Sequence, residues 1–91
     1  MFRKNIPEGY ALIFVMGKSK KVSLHMLFVN FAIDVLFLDE DKRIVKICGL
    51  RPWTGLCSSE TKVKYIIETN TGKAKKAGLK VGDMLTFRNE C

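Results

Sequence analysis

The side chains able to do acid–base or nucleophilic chemistry are few: His25, Asp34 and the cysteines Cys48, Cys57 and Cys91. Asp34 is the most informative. It stands between Ile33 and Val35 in an apolar run, where an unpartnered carboxylate is costly to bury. It requires a counter-group, and Arg3, His25 or a turn of backbone N–H groups could supply one. A tie of that kind is structural, whereas a carboxylate shared with His25 would line a binding pocket. An imidazole titrates near neutrality and could serve as a general base, but beside Met26 in a strand a packed or hydrogen-bonded ring is the ordinary outcome. A thiol nucleophile, Cys48 or Cys57, would need His25 close by and an acid to orient it. Arg51-Pro52-Trp53 adds an Arg–Trp pair, the composition of a binding hot spot or of an aromatic lid over a small core. Asp34, His25, Arg51 and Trp53 are therefore the expected ligand-binding residues, and no residue is assigned a catalytic role.

Three cysteines without a Cys-x-x-Cys pair, and one histidine, do not make a zinc pattern, so neither a metal nor a cofactor is expected. The bland reading is reduced, partly buried thiols in a reducing cytosol. Sixteen Lys+Arg against nine Asp+Glu give a net charge of +7. The cations are scattered: Lys18, Lys20 and Lys21; Lys42, Arg43 and Lys46; Lys62 and Lys64; Lys73, Lys75, Lys76 and Lys80. Scattered lysines read first as a solvated surface. A nucleic-acid face would need them on one side with exposed aromatics such as Phe31, Trp53 or Tyr65 between them. The glycines are isolated, so no phosphate-cradling loop is present.

The elements that must position these residues follow from short apolar runs. Ninety-one residues make one domain, 1–91. Tyr10 to Met16, ended by Gly17, Val22 to Val29, and Ile33 to Leu38 are rich in β-branched and aromatic residues and read as strands. Asp39-Glu40-Asp41-Lys42 is a hairpin link to Arg43–Cys48. In that return strand Ile44, Lys46 and Cys48 are expected on one face and Arg43, Val45 and Ile47 on the other. Gly49 to Glu60 reads as a long loop. Lys62 to Glu68 is a further strand, with Val63, Tyr65 and Ile67 on one face and Lys62, Lys64, Ile66 and Glu68 on the other. A short helix is expected near 71–77, with Asn70 or Thr71 as N-cap and Gly78 at C′. A turn at 79–83 leads to a last strand, Met84 to Arg88. About six strands and one helix give a mainly β fold (all-β or α+β), a compact barrel-like or sandwich-like sheet. The most apolar stretch, Val22 to Leu38, is interrupted by Ser23, His25, Asn30 and Asp34, and the N-terminus lacks the pattern of a signal peptide. A soluble, cytoplasmic chain without a membrane partner is expected.

The order of motifs resembles the family called domain of unknown function 192. The resemblance runs from Met1-Phe2-Arg3-Lys4 and Pro7-Glu8-Gly9-Tyr10 through His25-Met26-Leu27-Phe28-Val29, Ala32-Ile33-Asp34-Val35 and Leu50-Arg51-Pro52-Trp53 to Ala77-Gly78-Leu79-Lys80-Val81-Gly82-Asp83. The last of these also occurs in PDZ domains; the segments taken together, in this order, are the more specific signal. The family is mainly β with a small helical part and carries no established catalytic activity. Two departures stand out. Family members usually have a strand before the segment at which this chain begins, so the resemblance implies a missing N-terminal strand. Ala32 also stands where the family often has proline.

The leading functional expectation is a non-enzymatic ligand- or protein-binding module. The alternatives are nucleic-acid binding through the lysines and a small hydrolase or thiol enzyme using His25, Asp34 and a cysteine. A missing strand would leave an exposed sheet edge able to pair two chains as an edge-strand homodimer.

Overall fold

The computed structural model describes residues 3–5, 12–25, 32–52 and 55–86, with only the backbone at 3–5, 24 and 25. The strands are β1 (Arg3–Asn5), β2 (Leu12–Lys20), β3 (Ser23–His25), β4 (Ile33–Leu38), β5 (Ile44–Leu50), β6 (Leu56–Ser58), β7 (Val63–Asn70) and β8 (Met84–Thr86), with one helix, α1 (Lys73–Lys76), between β7 and β8. A four-stranded antiparallel sheet, ordered β2-β7-β4-β5, forms the body. Two short ladders flank it: β1 with β8, parallel, and β3 with β6, antiparallel. The fold is mainly β, as the apolar runs predict. Among the described residues no helix is long and apolar enough to cross a membrane.

β4 is central and covered on both sides; Val35, Leu36, Phe37 and Leu38 are all excluded from solvent. Leu36 and Leu38 join Ile44, Tyr65, Ile67, Ala74, Leu79 and Leu85 in one core layer, beneath α1 and β8. Ile33, Val35 and Phe37 join Leu50, Cys57, Val63 and Ile66 in the other. The run is continuous in apolarity because neither face of the strand meets water.

The β4–β5 hairpin forms where the acidic link predicts. Lys42 donates its N–H to the Asp39 carbonyl and Asp39 donates back to the Arg43 carbonyl, at 3.1 and 3.0 Å. Lys42 has φ +63°, the left-handed position of a type I turn with a bulge. The Asp39 carboxylate accepts the N–H groups of Asp41 and Arg43, the local bonding that makes Asp a turn residue.

Several expectations are corrected. β2 continues through Gly17 to Lys20, although its register with β7 is irregular between Val15 and Lys20. The expected face pattern of β5 fails because Val45 is an extra residue: Phe37 pairs with Lys46 but Leu38 pairs with Ile44. A bulge shifts the alternation by one. Ile44 and Ile47 therefore pack in one layer while Val45 and Cys48 pack in the other. In β7, Val63 packs with the second layer, apart from Tyr65 and Ile67. The long loop is shorter than expected because β5 reaches Leu50 and β6 starts at Leu56. β1 is a strand the reading of apolar runs did not contain. Residues 26–31, including Asn30 and Phe31, lie outside the described residues, as do Tyr10, Ala11 and the 87–88 end of the expected last strand.

The thiol reading is also corrected. Cys48 and Cys57 form a disulfide, with Cα atoms 6.5 Å apart and a sequence separation of nine. Both side chains face the same core layer, Cys48 from β5 and Cys57 from the β3–β6 ladder laid over it. The ladder is secured at its other end by Ser59, whose hydroxyl accepts the Val22 N–H at 3.0 Å and donates to the Thr61 carbonyl at 2.7 Å. The disulfide closes a loop of nine residues, for which chain entropy gives a stabilisation of about 2–3 kcal/mol. Urea unfolding with and without a thiol reductant measures it. The reduced chain is expected to be less stable by that amount, and coincident curves would show that the bond does not form.

Candidate functional site

Asp34 faces the helix-side layer, since Ile33 and Val35 on either side of it point into the other. Its Oδ2 accepts the N–H groups of Gly72 at 2.9 Å and Ala74 at 3.3 Å. Gly72 is the N-cap of α1, with φ +85°, and has no side chain with which to cap the helix. Asp34 thus caps the helix from 38 residues away in sequence. A carboxylate there satisfies orphan donors and complements the positive end of the peptide dipoles. This replaces the local cap expected from Asn70 or Thr71. The C-terminal end agrees with expectation: Gly78 has φ +72°, its N–H bonds to the Lys75 carbonyl at 3.0 Å, and the Leu79 N–H bonds to the Ala74 carbonyl at 2.9 Å. That pair of bonds is the Schellman arrangement, with the accompanying apolar contact supplied by the buried Ala74 and Leu79.

Of the other expected site residues only Arg51 has a described side chain, and no hydrogen bond or ion pair joins it to Asp34. Arg51 follows the last residue of β5 and is exposed. Its carbonyl accepts the Gly55 N–H at 3.0 Å, and a Cβ at Gly55 would lie 2.7 Å from that oxygen, so the turn needs glycine there. His25 has its backbone in β3, opposite Leu56; its side chain lies outside the described residues, as do Trp53 and Cys91.

A different set of residues forms a concave surface. Phe14, Met16, Lys20, Val22, Ile66 and Glu68 line a shallow groove of about 410 Å³ beside β2. Register explains the grouping: Phe14 pairs with Ile66 and Leu12 with Glu68, and cross-strand partners share a face. β2 is an edge strand of the four-stranded sheet. Leu12, Phe14 and Val15 are 66%, 44% and 37% exposed, high for apolar side chains on one strand. The groove is apolar in the middle and charged at both ends, with Lys20 at one and Glu68 at the other. Burial raises the Glu68 pKa above its ordinary value of 4.5. Alternation along the sequence groups Glu68 with Lys62 and Lys64 on one strand face, from which no site was drawn. The available signal was Ile66, an apolar residue on that same face.

The fold and the sequence both have relatives. A family model described as Uncharacterized ACR, DUF192, matches residues 1–87. The chain belongs to the DUF192 family. A UPF0127 protein of Pyrococcus furiosus is 38% identical over 89 residues, covering 96% of this chain and 73% of the relative. A UPF0127 protein of Thermococcus sibiricus is 34% identical, covering 90% of this chain and 54% of the relative. Two crystal structures share the DUF192 chain's fold, each with a TM-score of 0.75 over 92% of it. One, from Sinorhizobium meliloti, is described as a candidate transcription regulator and is 26% identical, with 67% of its length covered. The other, from Novosphingobium aromaticivorans, is described as a protein of unknown function and is 23% identical, with 61% covered. The family is uncharacterised, in keeping with the resemblance read from the motifs.

Two outcomes test this description of the DUF192 chain. Asp34→Ala removes a cap and is expected to lower unfolding stability by about 1–2 kcal/mol, read from chemical denaturation; an unchanged midpoint would remove Asp34 from the cap. Glu68 has a folded-state pKa above its unfolded value, so the native state holds more protons from pH 4.5 upward. Its contribution to stability therefore falls as pH rises through that window and levels off above the folded pKa. Glu68→Gln in dilute protein is expected to flatten this fall and to melt higher than the parent at pH 7 but not at pH 4. A parallel pH profile for the two proteins would contradict the burial of the carboxylate.

Proposed function

We propose that this domain is a non-enzymatic protein-binding module whose contact surface is the β2 edge and its groove. The observation that carries this reading is the exposure of Leu12, Phe14 and Val15 on a nine-residue edge strand. An unpaired edge offers a row of backbone donors and acceptors to an extended segment, and the adjoining apolar groove offers side-chain contacts. The partner it suits is an extended strand, apolar at alternate positions and acidic where it passes Lys18 and Lys20. The engagement of Asp34 with the α1 backbone supports the non-enzymatic side of this reading, because that carboxylate is already committed to holding the helix.

The second reading is nucleic-acid binding, favoured by the description of the Sinorhizobium meliloti neighbour and by the placement of Lys18, Lys20 and Lys21 beside Lys62 and Lys64 through the Lys20–Val63 pairing. Against it, the acidic hairpin turn sits at the same place. Asp39, Glu40, Asp41, Ser19 and Lys62 line one surface hollow, and the Ser19 hydroxyl donates to Glu40 at 2.9 Å. Carboxylates there break up the positive field a phosphate backbone needs.

The probe is a labelled eight-residue peptide with valine at alternate positions and glutamate at one end, titrated into isotope-labelled protein. Amide shifts are expected to cluster on residues 12–20 and to weaken as salt rises. Absence of shifts at millimolar peptide, or shifts centred on Asp34 and Arg51, would overturn the edge reading. Steeply salt-dependent binding of a DNA or RNA duplex in its place would establish the second reading.

A further inference from the structure

Resting on the edge reading above, we infer that the strand partner of β2 is the β2 of a second copy of this chain, paired antiparallel about a two-fold axis. The sheet order leaves two outer strands, β2 and β5. β5 is engaged at its start, where Arg43 bridges Met84, Ile44 donates to the Asp83 carbonyl and Gly82 donates to the Ile44 carbonyl. At its far half it is tied to β6 by the disulfide. β2 has no such cover among the described residues, and it carries three of the five exposed large apolar side chains described, the others being Leu56 and Val81.

The charges along this edge select the second copy over an arbitrary strand. Glu68 flanks the start of β2 through its pairing with Leu12, whereas Lys18 and Lys20 lie at the end of β2. An antiparallel copy reverses that order, so each copy brings its lysine end to the other's Glu68 end. A two-fold contact is self-complementary by construction, and an acid and a base at opposite ends of one strand meet that requirement twice.

The faces agree as well. Phe14, Met16, Lys20, Ile66 and Glu68 line one groove, and a two-fold axis perpendicular to the sheet keeps that face on the same side in both copies. Neighbouring strands lie about 4.8 Å apart. The backbone of Glu68 and the partner lysine's backbone are then separated by two spacings, about 10 Å, a gap that a glutamate and a lysine side chain together span. Glu68 has no hydrogen bond or ion pair among the described residues, so the partner's lysine would supply its first counter-charge. With Lys20 of one copy opposite Leu12 of the other, the axis falls at Met16, and Phe14 and Val15 lie within two residues of it on each copy. The product is one continuous eight-stranded sheet with a β2–β2 seam at its centre.

Sedimentation velocity on the full chain over a concentration series tests this. The expected result is a reversible species of twice the chain's mass. Val15→Lys places like charges across the seam and is expected to give a monomer with an unchanged circular dichroism spectrum. Lys20→Glu and Glu68→Lys are each expected to weaken the dimer at least about tenfold, the scale of close charge pairs across an interface. The double exchange, Lys20→Glu with Glu68→Lys, is expected to recover most of that loss, which a purely structural role for either residue would not produce. A chain that stays monomeric at several hundred micromolar, or a dimer indifferent to Val15→Lys and to the charge exchange, would overturn the inference. The peptide titration separates the two failures: a monomer that still shifts at residues 12–20 on adding peptide loses the second copy but keeps the edge reading, and a monomer that binds no peptide loses both.

Discussion

Four consecutive side chains of β4, Val35 to Leu38, are excluded from water, and they alternate between the two sides of the sheet. A strand in that position cannot be half of a simple two-faced sheet with one wet side; each face must be covered by something else. In a chain this short the covers are small. One is a single-turn helix with the turn and strand that follow it, and the other is a two-stranded ladder of three-residue strands. Neither cover is long enough to be stable alone. Each is held to the sheet by a specific non-local tie.

The tie for the helix is the Asp34 carboxylate. It stands in β4 itself and reaches the first amides of α1, so the strand that needs covering also anchors its cover. From there the chain crosses the face, buries Ala74 and Leu79, and ends at the turn where Asp83 accepts the Lys80 N–H and Gly82 sits at φ +98°. That turn returns the chain to the start of β5 through the Ile44 bonds. The tie for the opposite cover is the Cys48–Cys57 bond, with Ser59 at the other end of the ladder. The two ties enter the same β4–β5 pair from opposite faces. Local loss of either would uncover apolar surface on one side while leaving the other layer intact.

What could be read from the sequence divides along the same line. Features made by neighbours in the chain were legible. Asp39 bonds groups two and four residues on, so the hairpin was visible in its own link. Gly78 supplies a left-handed residue at its own position, so the helix end was visible too. Features made across the chain were not. Nothing around Gly72 announces that its cap is Asp34, although the cost of burying that carboxylate did announce that a partner must exist. The bulge at Val45 depends on how β5 fits β4, and no residue type marks it. Cysteine spacing carries no pairing information, so the disulfide emerged only from the packing of β6 over β5. The candidate site follows the same rule. Asp34 was singled out for a sound physical reason, but the groove beside β2 depends on which strand lies at the edge, and that is a property of sheet order.

Sheet order also underlies the proposed edge contact. Both faces of β4 are committed to covers, and β5 is committed to β6 and to the turn before β8. Among the described residues, the turns and α1 present mainly charged side chains, with Leu56 and Val81 as exposed apolar exceptions. β2 departs from that pattern. It keeps apolar side chains at its outer rim, where natural edge strands are usually protected by charge, proline or brevity. Among the described residues its charges lie at its ends, Lys18 and Lys20 on one side and Glu68 on the other. In the proposed pairing, charges so placed would not prevent contact but would restrict it to strands that present the opposite sign at each end. An edge that is apolar in the middle and oppositely charged at its two ends would select for direction, and that selectivity would be lost if both ends carried the same sign.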